Sequence, residues 1–283
     1  MERNRTSPEE RLGLVSDLGR ELCDLAERLA VAAGELVYEG RKRGIASATT
    51  KSSDTDVVTE FDRASERMIV DGLHAERPDD AVIGEEGTDT AGASGVRWLI
   101  DPIDGTTNFL YDLPGYAVSI AAFAEDRPIA GVVYVPSTRE LFTATAGGGA
   151  MLNGSRIHCS TTSVLLHSLV ATGFSYQVER RRDQARRIAE VIPQIRDIRR
   201  FGAASTDLCY LAAGRLDVYF EKWLGPWDFA AGELIAREAG CRTGRFDGGP
   251  IDSSEVLAAN PALFEQMVEL LAGTEPGRDP GIM

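Results

Sequence analysis

Two aspartates stand three positions apart, directly after an apolar segment of the chain. Residues 96–100 (Val-Arg-Trp-Leu-Ile) are typical of a buried strand, and Asp101 and Asp104 follow at its carboxyl end. The intervening proline favours extended backbone at Asp101 and Gly105 permits a sharp turn, so both carboxylates and the Ile103 carbonyl can converge on one point. Because converging oxygens without Cys or His favour a hard cation, the stretch predicts a Mg²⁺ site.

Other interpretations of the same residues require other spacings. An EF-hand loop beginning at Asp101 needs an oxygen-bearing side chain at Ile103 and a glycine at Thr106, and neither is present. A phosphatase that forms a covalent aspartyl-phosphate usually carries its aspartates two positions apart, unlike Asp101 and Asp104. These residues alone also allow a structural interpretation, in which a strand ends in an Asx turn and its acids are solvated. Residues 105–107 can also begin a helical turn whose free N–H groups face an anion.

Three further acids stand where strands end or a helix begins. Glu85 comes soon after the apolar run 81–83, Glu221 ends the predicted strand 216–221, and Asp228 stands at the predicted start of a helix. Taken alone, Glu85 is typical of a surface turn and Asp228 of a plain N-cap. Beside the aspartate pair, Glu85 completes a candidate metal cage, and Asp228 can cap N–H groups while presenting an oxygen to metal.

Three ordered motifs resemble the signature of the inositol monophosphatases. The sequence Trp-Leu-Ile-Asp-Pro-Ile-Asp-Gly-Thr-Thr-Asn-Phe occupies residues 98–109, and Ile-Gly-Glu-Glu occupies residues 83–86. Pro-Trp-Asp-Phe-Ala-Ala-Gly occupies residues 226–232 and continues as Ile-Ala-Arg-Glu-Ala-Gly at 235–240. The resemblance covers about residues 10–272, nearly the whole chain.

The resemblance implies a magnesium-dependent phosphatase with two or three Mg²⁺ ions and a metal-activated water. The metal would be held by Glu85, Asp101, the Ile103 carbonyl, Asp104 and Asp228. Catalysis is assigned to Glu85, Asp101 and Thr106, with Glu85 and the Thr106 hydroxyl orienting the water. Phosphate and polyol would contact Asp104, Gly105, Thr106, Gly202, Ala203, Ala204, Glu221 and Asp228.

The predicted reaction is hydrolysis of myo-inositol monophosphate to inositol and phosphate. The absence of a Gly-x-Ser-x-Gly motif favours activated water over a serine nucleophile. Histidinol phosphate, fructose 1,6-bisphosphate and phosphoadenosine phosphate stay open as substrates, because relatives act on them. A different class also stays open, since some relatives are regulatory binding proteins in gene expression. The resemblance further implies lithium sensitivity and a homodimer.

Charge and cysteine content exclude several broad classes. The 283 residues contain 30 Lys and Arg against 44 Asp and Glu, a net charge of −14, which argues against a general nucleic-acid or anionic-membrane surface. The four cysteines form no Cys-x-x-Cys pair and no basic-then-apolar leader precedes them, so reduced thiols in the cytoplasm are expected. No apolar run approaches the length of a membrane span.

The elements that must position these residues are predicted to form an α/β protein. The resemblance implies a layered αβαβα sandwich with two domains. Residues 1–153 would form an α+β domain that has an antiparallel sheet and carries most metal ligands. Residues 154–283 would form an α/β domain that completes the site. Ser7-Pro8-Glu9-Glu10 predicts the capped start of an amphipathic helix that ends near Gly40, and Asn260-Pro261 the start of the last helix. Residues 116–152 are typical of a β-meander.

Two polar segments allow both a functional and a structural interpretation. Asp56 and Asp62 lie in a stretch that resembles the family's mobile loop beside the metals, although Asp62 with Thr59 also predicts a helix cap. The arginine-rich segment 180–187 could bind RNA, but interspersed acids favour a solvated helix face. The inner face of that helix is predicted to contain Ile188, Val191, Ile192 and Ile195.

Overall fold

The computed structural model describes residues 8–45, 48–50 and 57–274. Within them the helices are α1 (Pro8–Arg43), α2 (Glu60–Glu76), α3 (Thr106–Leu110), α4 (Val178–Val191), α5 (Ala204–Ala212), α6 (Pro226–Glu238) and α7 (Phe264–Gly273). The first strands are β1 (Ala48–Thr50), β2 (Val57–Thr59), β3 (Ala81–Gly84), β4 (Asp89–Thr90), β5 (Val96–Asp104), β6 (Ala117–Ala124), β7 (Arg127–Val135), β8 (Glu140–Thr145), β9 (Gly149–Leu152) and β10 (Ser155–Arg156). They are followed by β11 (Leu169–Thr172), β12 (Asp197–Arg199), β13 (Val218–Lys222), β14 (Arg242–Gly244) and β15 (Glu255–Ala259).

An eight-stranded sheet has the order β10-β9-β8-β7-β6-β5-β3-β4. Its central strands form the antiparallel meander that the sequence predicts, whereas β3 and β5 are parallel. Parallel pairing brings the carboxyl ends of β3 and β5 to the same edge of the sheet, so the acids that follow Gly84 and Ile100 become neighbours.

A five-stranded sheet has the order β12-β11-β13-β15-β14. Strand β11 is parallel to both β12 and β13, and β15 is antiparallel to β13. The carboxyl ends of β11 and β13 therefore meet at one edge, where Gly173 follows the first strand and Glu221 lies near the end of the second.

Five layers alternate between helices and sheets. Helices α1 and α2 cover the outer face of the eight-stranded sheet through a core that includes Leu22, Ala26, Ile69, Trp98 and Ile120. Helices α5 and α6 lie between the sheets in a core that includes Val133, Leu208, Tyr219, Leu234 and Ala258. Helices α4 and α7 cover the far face of the five-stranded sheet with Val191, Val218, Leu257, Met267 and Leu271. This order confirms the predicted αβαβα sandwich.

Helix boundaries differ from the predictions at specific side chains. Helix α1 continues beyond Gly40 to Arg43, and Gly40 leaves room for the Phe61 ring, which a Cβ would overlap. The predicted cap Ser7 lies outside the described residues. The last helix begins at Phe264 rather than at Asn260, because the Asn260 side-chain oxygen accepts the Leu263 N–H at 3.2 Å and forms a turn first.

Helix α4 has a more polar inner face than the sequence predicts. Val191 and Ile195 are buried, but Ile192 is 49% exposed. Arg187 is only 3% exposed, and its guanidinium carbon lies 5.1 Å from the centre of the Phe246 ring. A long arginine side chain can therefore cover core aromatic surface from within a basic segment.

The chain passes from the first sheet to the second between Arg156 and Leu169. Strand β10 still pairs with β9 in the eight-stranded sheet, and β11 is the first strand of the five-stranded sheet. A domain division at residues 153 and 154 stays a prediction. Among the described residues, the structure contains no helix that has both the length and the apolar character needed to cross a bilayer.

Candidate active site

Five carboxylates from three parts of the chain line one cavity of about 110 Å³. They belong to Glu85, Asp101, Asp104, Glu221 and Asp228. The cavity lies where β3 and β5 of the first sheet, β13 of the second sheet and the amino end of α6 meet. Ligand cavities at the carboxyl ends of strands are typical of α/β sheets.

Glu85 and Asp101 are neighbours because their strands are parallel. The Glu85 N–H donates to the Ile100 carbonyl at 3.1 Å, which places Glu85 beside the end of β5. The turn that carries Glu85 is fixed by Glu66 of α2, whose carboxylate accepts the N–H groups of Glu86 at 2.8 Å and Thr88 at 3.1 Å. Glu66 was not predicted, because a helix acid many residues upstream gives no signal of this contact.

Asp101 lies deepest in the acidic cluster and is 2% exposed. One of its oxygens accepts the Ile103 N–H at 3.1 Å, as in an Asx turn. Burial raises the pKa of Asp101 well above its usual range, and the charges of Glu85, Asp104 and Asp228 add to the rise. A group of buried carboxylates with raised pKa values is a site where positive charge would be stabilising.

Asp104 connects the end of β5 to the amino end of α5. Its Oδ2 accepts the Ser205 backbone N–H at 2.7 Å. Burial raises the pKa of Asp104 to about 6, and hydrogen bonds from Ser205 and Ala204 oppose the rise. The sequence predicted residues 202–204 as site residues, but not Ser205, whose backbone N–H contacts Asp104.

Gly105 allows the two segments to approach closely. Its φ of +87° lies in the left-handed region, and a Cβ there would lie 3.1 Å from the Ala203 Cβ and 3.2 Å from the Gly202 carbonyl oxygen. Gly202 and Ala204 line the cavity, and Ala203 is the N-cap of α5. The structure therefore brings residues 202–204 to the predicted phosphate-binding turn.

Thr106 is held from behind by Asp62. The Thr106 hydroxyl oxygen lies 3.1 Å from Asp62 Oδ1 and 3.0 Å from the Ile103 carbonyl oxygen. The other Asp62 oxygen accepts the Thr59 backbone N–H at 2.7 Å, so Asp62 also forms the predicted cap of α2. Asp62 therefore contacts a residue that lines the cavity, whereas Asp56 lies outside the described residues.

Asp228 is the third residue of α6, not its N-cap as predicted. Gly225 is the N-cap and donates its N–H to Asp228 Oδ2 at 2.7 Å. The helix begins at Pro226 because proline lacks an N–H and is favoured in the first turn. Burial raises the pKa of Asp228 well above its usual range, and Glu85 and Asp104 add to the rise.

Glu221 occupies the side of the cavity that belongs to the second sheet. The Tyr219 hydroxyl donates to Glu221 Oε2 at 2.7 Å. Burial raises the pKa of Glu221 to about 7, while the Tyr219 hydroxyl and the Arg200 guanidinium lower it. Gly173 leaves room for this carboxylate, since a Cβ at residue 173 would overlap both Glu221 oxygens. The sequence analysis did not predict a role for Tyr219, Arg200 or Gly173. Of the three, only Gly173 could have been found from the sequence, because a glycine at the end of a strand often marks a close approach of other atoms.

The donor set fits a hard divalent cation. All candidate ligands are oxygens, namely the carboxylates of Glu85, Asp101, Asp104 and Asp228 and the Ile103 carbonyl, and all these residues line the same cavity. Across residues 8–45, 48–50 and 57–274, no three Asp, Glu, His or Cys side chains already surround one metal position. The carboxylates share the cavity without a finished coordination shell, so metal binding would require side-chain adjustment, with relief of their mutual repulsion as the driving force.

The fold is thus an αβαβα sandwich, and a buried acidic cavity lies where strands of its two sheets meet the amino end of α6. The chain belongs to the inositol monophosphatase family, whose model matches residues 19–274. It is 40% identical over 280 residues to the inositol-1-monophosphatase SuhB of Mycobacterium tuberculosis H37Rv, covering 90% of this chain and 96% of the relative.

Two further relatives extend this similarity. The chain is 39% identical over 251 residues to the Nus factor SuhB of Escherichia coli K12, covering 87% of this chain and 94% of the relative. The solved IMPase of Thermotoga maritima superposes with a TM-score of 0.83 at 32% identity, covering 90% of this chain and 98% of that chain. The similarity therefore includes both a protein named as an inositol-1-monophosphatase and one named as a Nus factor.

Proposed function

We propose that the protein is a Mg²⁺-dependent phosphomonoesterase that hydrolyses myo-inositol monophosphate to inositol and phosphate. The observation that carries the proposal is the cavity shared by Glu85, Asp101, Asp104, Glu221 and Asp228, which unites a hard-cation donor set with hydrogen-bonding groups for a polyol. Membership of the inositol monophosphatase family supports phosphatase activity.

Magnesium would be held by Glu85, Asp101, the Ile103 carbonyl, Asp104 and Asp228, and when bound it would acidify a water and stabilise negative charge on the phosphate and the leaving alkoxide. The chain's own groups would orient the reactants. Because the Thr106 hydroxyl can donate a hydrogen bond to Asp62, its lone pairs can accept a hydrogen bond from the attacking water. Glu85 would accept a hydrogen bond from the other O–H of that water. The two hydrogen bonds would direct an oxygen lone pair toward phosphorus.

The substrate would be held on both sides of the scissile bond. The N–H groups of Gly105 and Thr106 would donate to phosphate oxygens at the turn after β5. Glu221 would accept hydrogen bonds from polyol hydroxyls through Oε1, because Tyr219 already donates to Oε2. Asp104 and Asp228, with residues 202–204, would contact the remaining hydroxyls.

A comparison of substrates tests this function. Phosphate release should require Mg²⁺ and should be fastest from myo-inositol monophosphate among four compounds at equal concentration, the others being histidinol phosphate, fructose 1,6-bisphosphate and phosphoadenosine phosphate. Faster release from another member of the set would replace the substrate but keep the reaction. If none of the four releases phosphate with Mg²⁺ present, the proposal is wrong.

A regulatory role in gene expression is the second candidate function. It is favoured by the 39% identity to the Nus factor SuhB of Escherichia coli. An Asp101→Asn variant separates the two roles in the organism, because it should lose the metal site while keeping the fold. Full rescue of a deletion strain by this variant would support the regulatory role, and failure to rescue would support the enzyme.

Three further properties follow from family membership and stay predictions. We expect inhibition by lithium, a homodimer and a location in the cytoplasm. Lithium titration of phosphate release, sedimentation of the purified protein and cell fractionation would test them in turn.

A further inference from the structure

Two of the four cysteines lie beside each other, although they are far apart in the sequence. Cys159 belongs to the segment that connects β10 with β11, and Cys241 lies between the end of α6 and the start of β14. Both are free thiols, and they are hydrogen-bonded to each other. Cys159 also packs against the part of the core that contains Cys241. The folded chain therefore holds a pair of thiols in contact.

The position of Cys241 is fixed by the way α6 ends. Gly240 follows the C-cap of the helix and has a φ of +96°, in the left-handed region. The Cys241 N–H donates to the Ala236 carbonyl at 3.0 Å, and the Gly240 N–H donates to the Arg237 carbonyl at 3.0 Å. These two bonds define a Schellman motif, which turns the chain sharply and holds Cys241 against the end of the helix.

The same turn also positions Cys159. Its N–H donates to the Ala239 carbonyl at 3.0 Å. Its sulfur lies so close to the turn that a Cβ at Gly240 would be 3.7 Å away. Because backbone contacts of one turn place both cysteines, their thiols meet without any movement of a helix or strand. The remaining approach, to about 2.0 Å between the sulfurs of a disulfide, is a local adjustment.

The two thiols differ in exposure and in acidity. Cys241 is only 5% exposed, whereas Cys159 is partly exposed. The hydrogen bond with Cys241 lowers the pKa of the Cys159 thiol, and burial opposes this effect. Burial instead raises the pKa of both Cys23 and Cys209, which lie in the core. Since the thiolate is the reactive form, Cys159 is the cysteine that a small oxidant would attack first.

We propose that Cys159 and Cys241 are a modification site for peroxide, at which a reversible disulfide joins the segment between the two sheets to the carboxyl end of α6. The Cys159 thiolate attacks one oxygen of hydrogen peroxide, the O–O bond breaks, and hydroxide leaves and takes up a proton to become water. The Cys241 thiol then attacks the sulfur of the Cys159 sulfenic acid, and the S–S bond forms while its proton and the hydroxyl group leave as a second water. One peroxide thus accepts two electrons from the two thiols.

The disulfide would be a covalent lock on α6. This helix carries Asp228 near its amino end, and Cys241 follows its carboxyl end. The cross-link encloses α4, α5 and α6 together with β11, β12 and β13, so it restricts the unfolded chain and disfavours unfolding. Neither cysteine lines the active-site cavity, so the lock does not depend on the proposed phosphatase activity.

Oxidation of the full chain with hydrogen peroxide tests the site. The reduced protein is treated with a small excess of peroxide, its remaining thiols are alkylated, and the peptides are analysed by mass spectrometry without reductant. Tm is measured before oxidation, after oxidation and after treatment with a dithiol reductant. The variants are Cys159→Ser, Cys241→Ser and, as a matched control, Cys23→Ser, which changes a buried cysteine elsewhere in the core.

We expect one cross-linked peptide pair, which joins Cys159 to Cys241 within one chain, and a fall in free thiols from four to two. Tm should rise by about 5 °C on oxidation and return to its first value after reduction. Cys159→Ser should show neither the cross-link nor the rise in Tm. Cys241→Ser should instead hold a sulfenic acid at Cys159, which dimedone labels. Cys23→Ser should behave as the wild type.

Four outcomes would overturn the proposal. Unreacted thiols after peroxide treatment, a disulfide between other cysteines, or a disulfide between two copies of the chain would contradict the modification site. A cross-link between Cys159 and Cys241 that leaves Tm unchanged would contradict the lock.

Discussion

The Asp104 carboxylate accepts the backbone N–H of Ser205 at 2.7 Å and thereby joins the last residue of β5 to the first turn of α5. The contact crosses about one hundred residues of sequence and brings the end of the first sheet to the helices that lie between the two sheets. Asp104 therefore has two roles, since it anchors the helix and lines the cavity with the other carboxylates.

Replacement of Asp104 by Asn should separate its structural role from its role in metal binding. The amide oxygen can still accept the Ser205 N–H, but the charge that a metal needs is removed. We expect phosphate release to fall at least about 100-fold. Because burial raises the pKa of Asp104 to about 6, loss of the charge should keep or raise Tm at pH 8 without metal. Asp71→Asn, at an exposed position of α2, should change neither quantity.

Gly173→Ala should displace the Glu221 carboxylate. A Cβ at residue 173 would overlap both Glu221 oxygens, so the carboxylate must move away from the polyol side of the cavity. We expect the KM for myo-inositol monophosphate to rise about tenfold with a smaller change in kcat. Gly273→Ala is the control, because a Cβ there meets no atom within 4 Å. An unchanged KM in Gly173→Ala would show that Glu221 does not contact the substrate.

Tyr219→Phe should change the pH dependence of substrate binding. The hydroxyl donates to Glu221 and lowers the pKa of that carboxyl, which burial raises to about 7. Without the hydroxyl, the pKa of Glu221 should rise further, so the acidic limb of the kcat/KM profile should move to higher pH. A purely structural role would lower activity at every pH without moving this limb.

The stability of the metal-free protein should fall as pH rises. The folded-state pKa is about 6 for Asp104 and about 7 for Glu221, above the values of about 4 expected in the unfolded chain. The folded state therefore binds more protons, so the stabilising contribution is full below about pH 4 and is lost as pH rises to about 7. Thermal melting in a chelator should show a decline of a few degrees in Tm across this interval. The decline should be smaller in Glu221→Gln, and an equal decline in both proteins would contradict the prediction.

Magnesium should reverse this loss of stability. A cation that binds only the folded protein adds about 2.7 kcal/mol of stability at one hundred times its dissociation constant. We expect Tm at pH 8 to rise with Mg²⁺ concentration in the wild type and to respond much less in Asp101→Asn or Asp228→Asn. Equal responses in all three proteins would place the metal elsewhere.

Local patterns were sufficient where the cause of a structure lies within a few residues. The strand before Asp101, the cap formed by Thr59 and Asp62, and the meander after Tyr116 all appear in the structure, because alternating burial and short-range hydrogen bonds determine them. Helix boundaries were less exact, since the last helix begins at Phe264 after a turn formed by the Asn260 side chain, not at Asn260 as predicted.

The sequence alone determined the family and the kinds of chemical group at the site, because the order and spacing of three acidic motifs are properties of the chain itself. Only the tertiary structure decided which groups support them. Glu66 behind the Glu85 turn, and Gly173 and Tyr219 against Glu221, come together through the pairing of strands and the packing of helices. No sequence spacing encodes such contacts, since they join residues that are neighbours only after two sheets have closed around the helices between them.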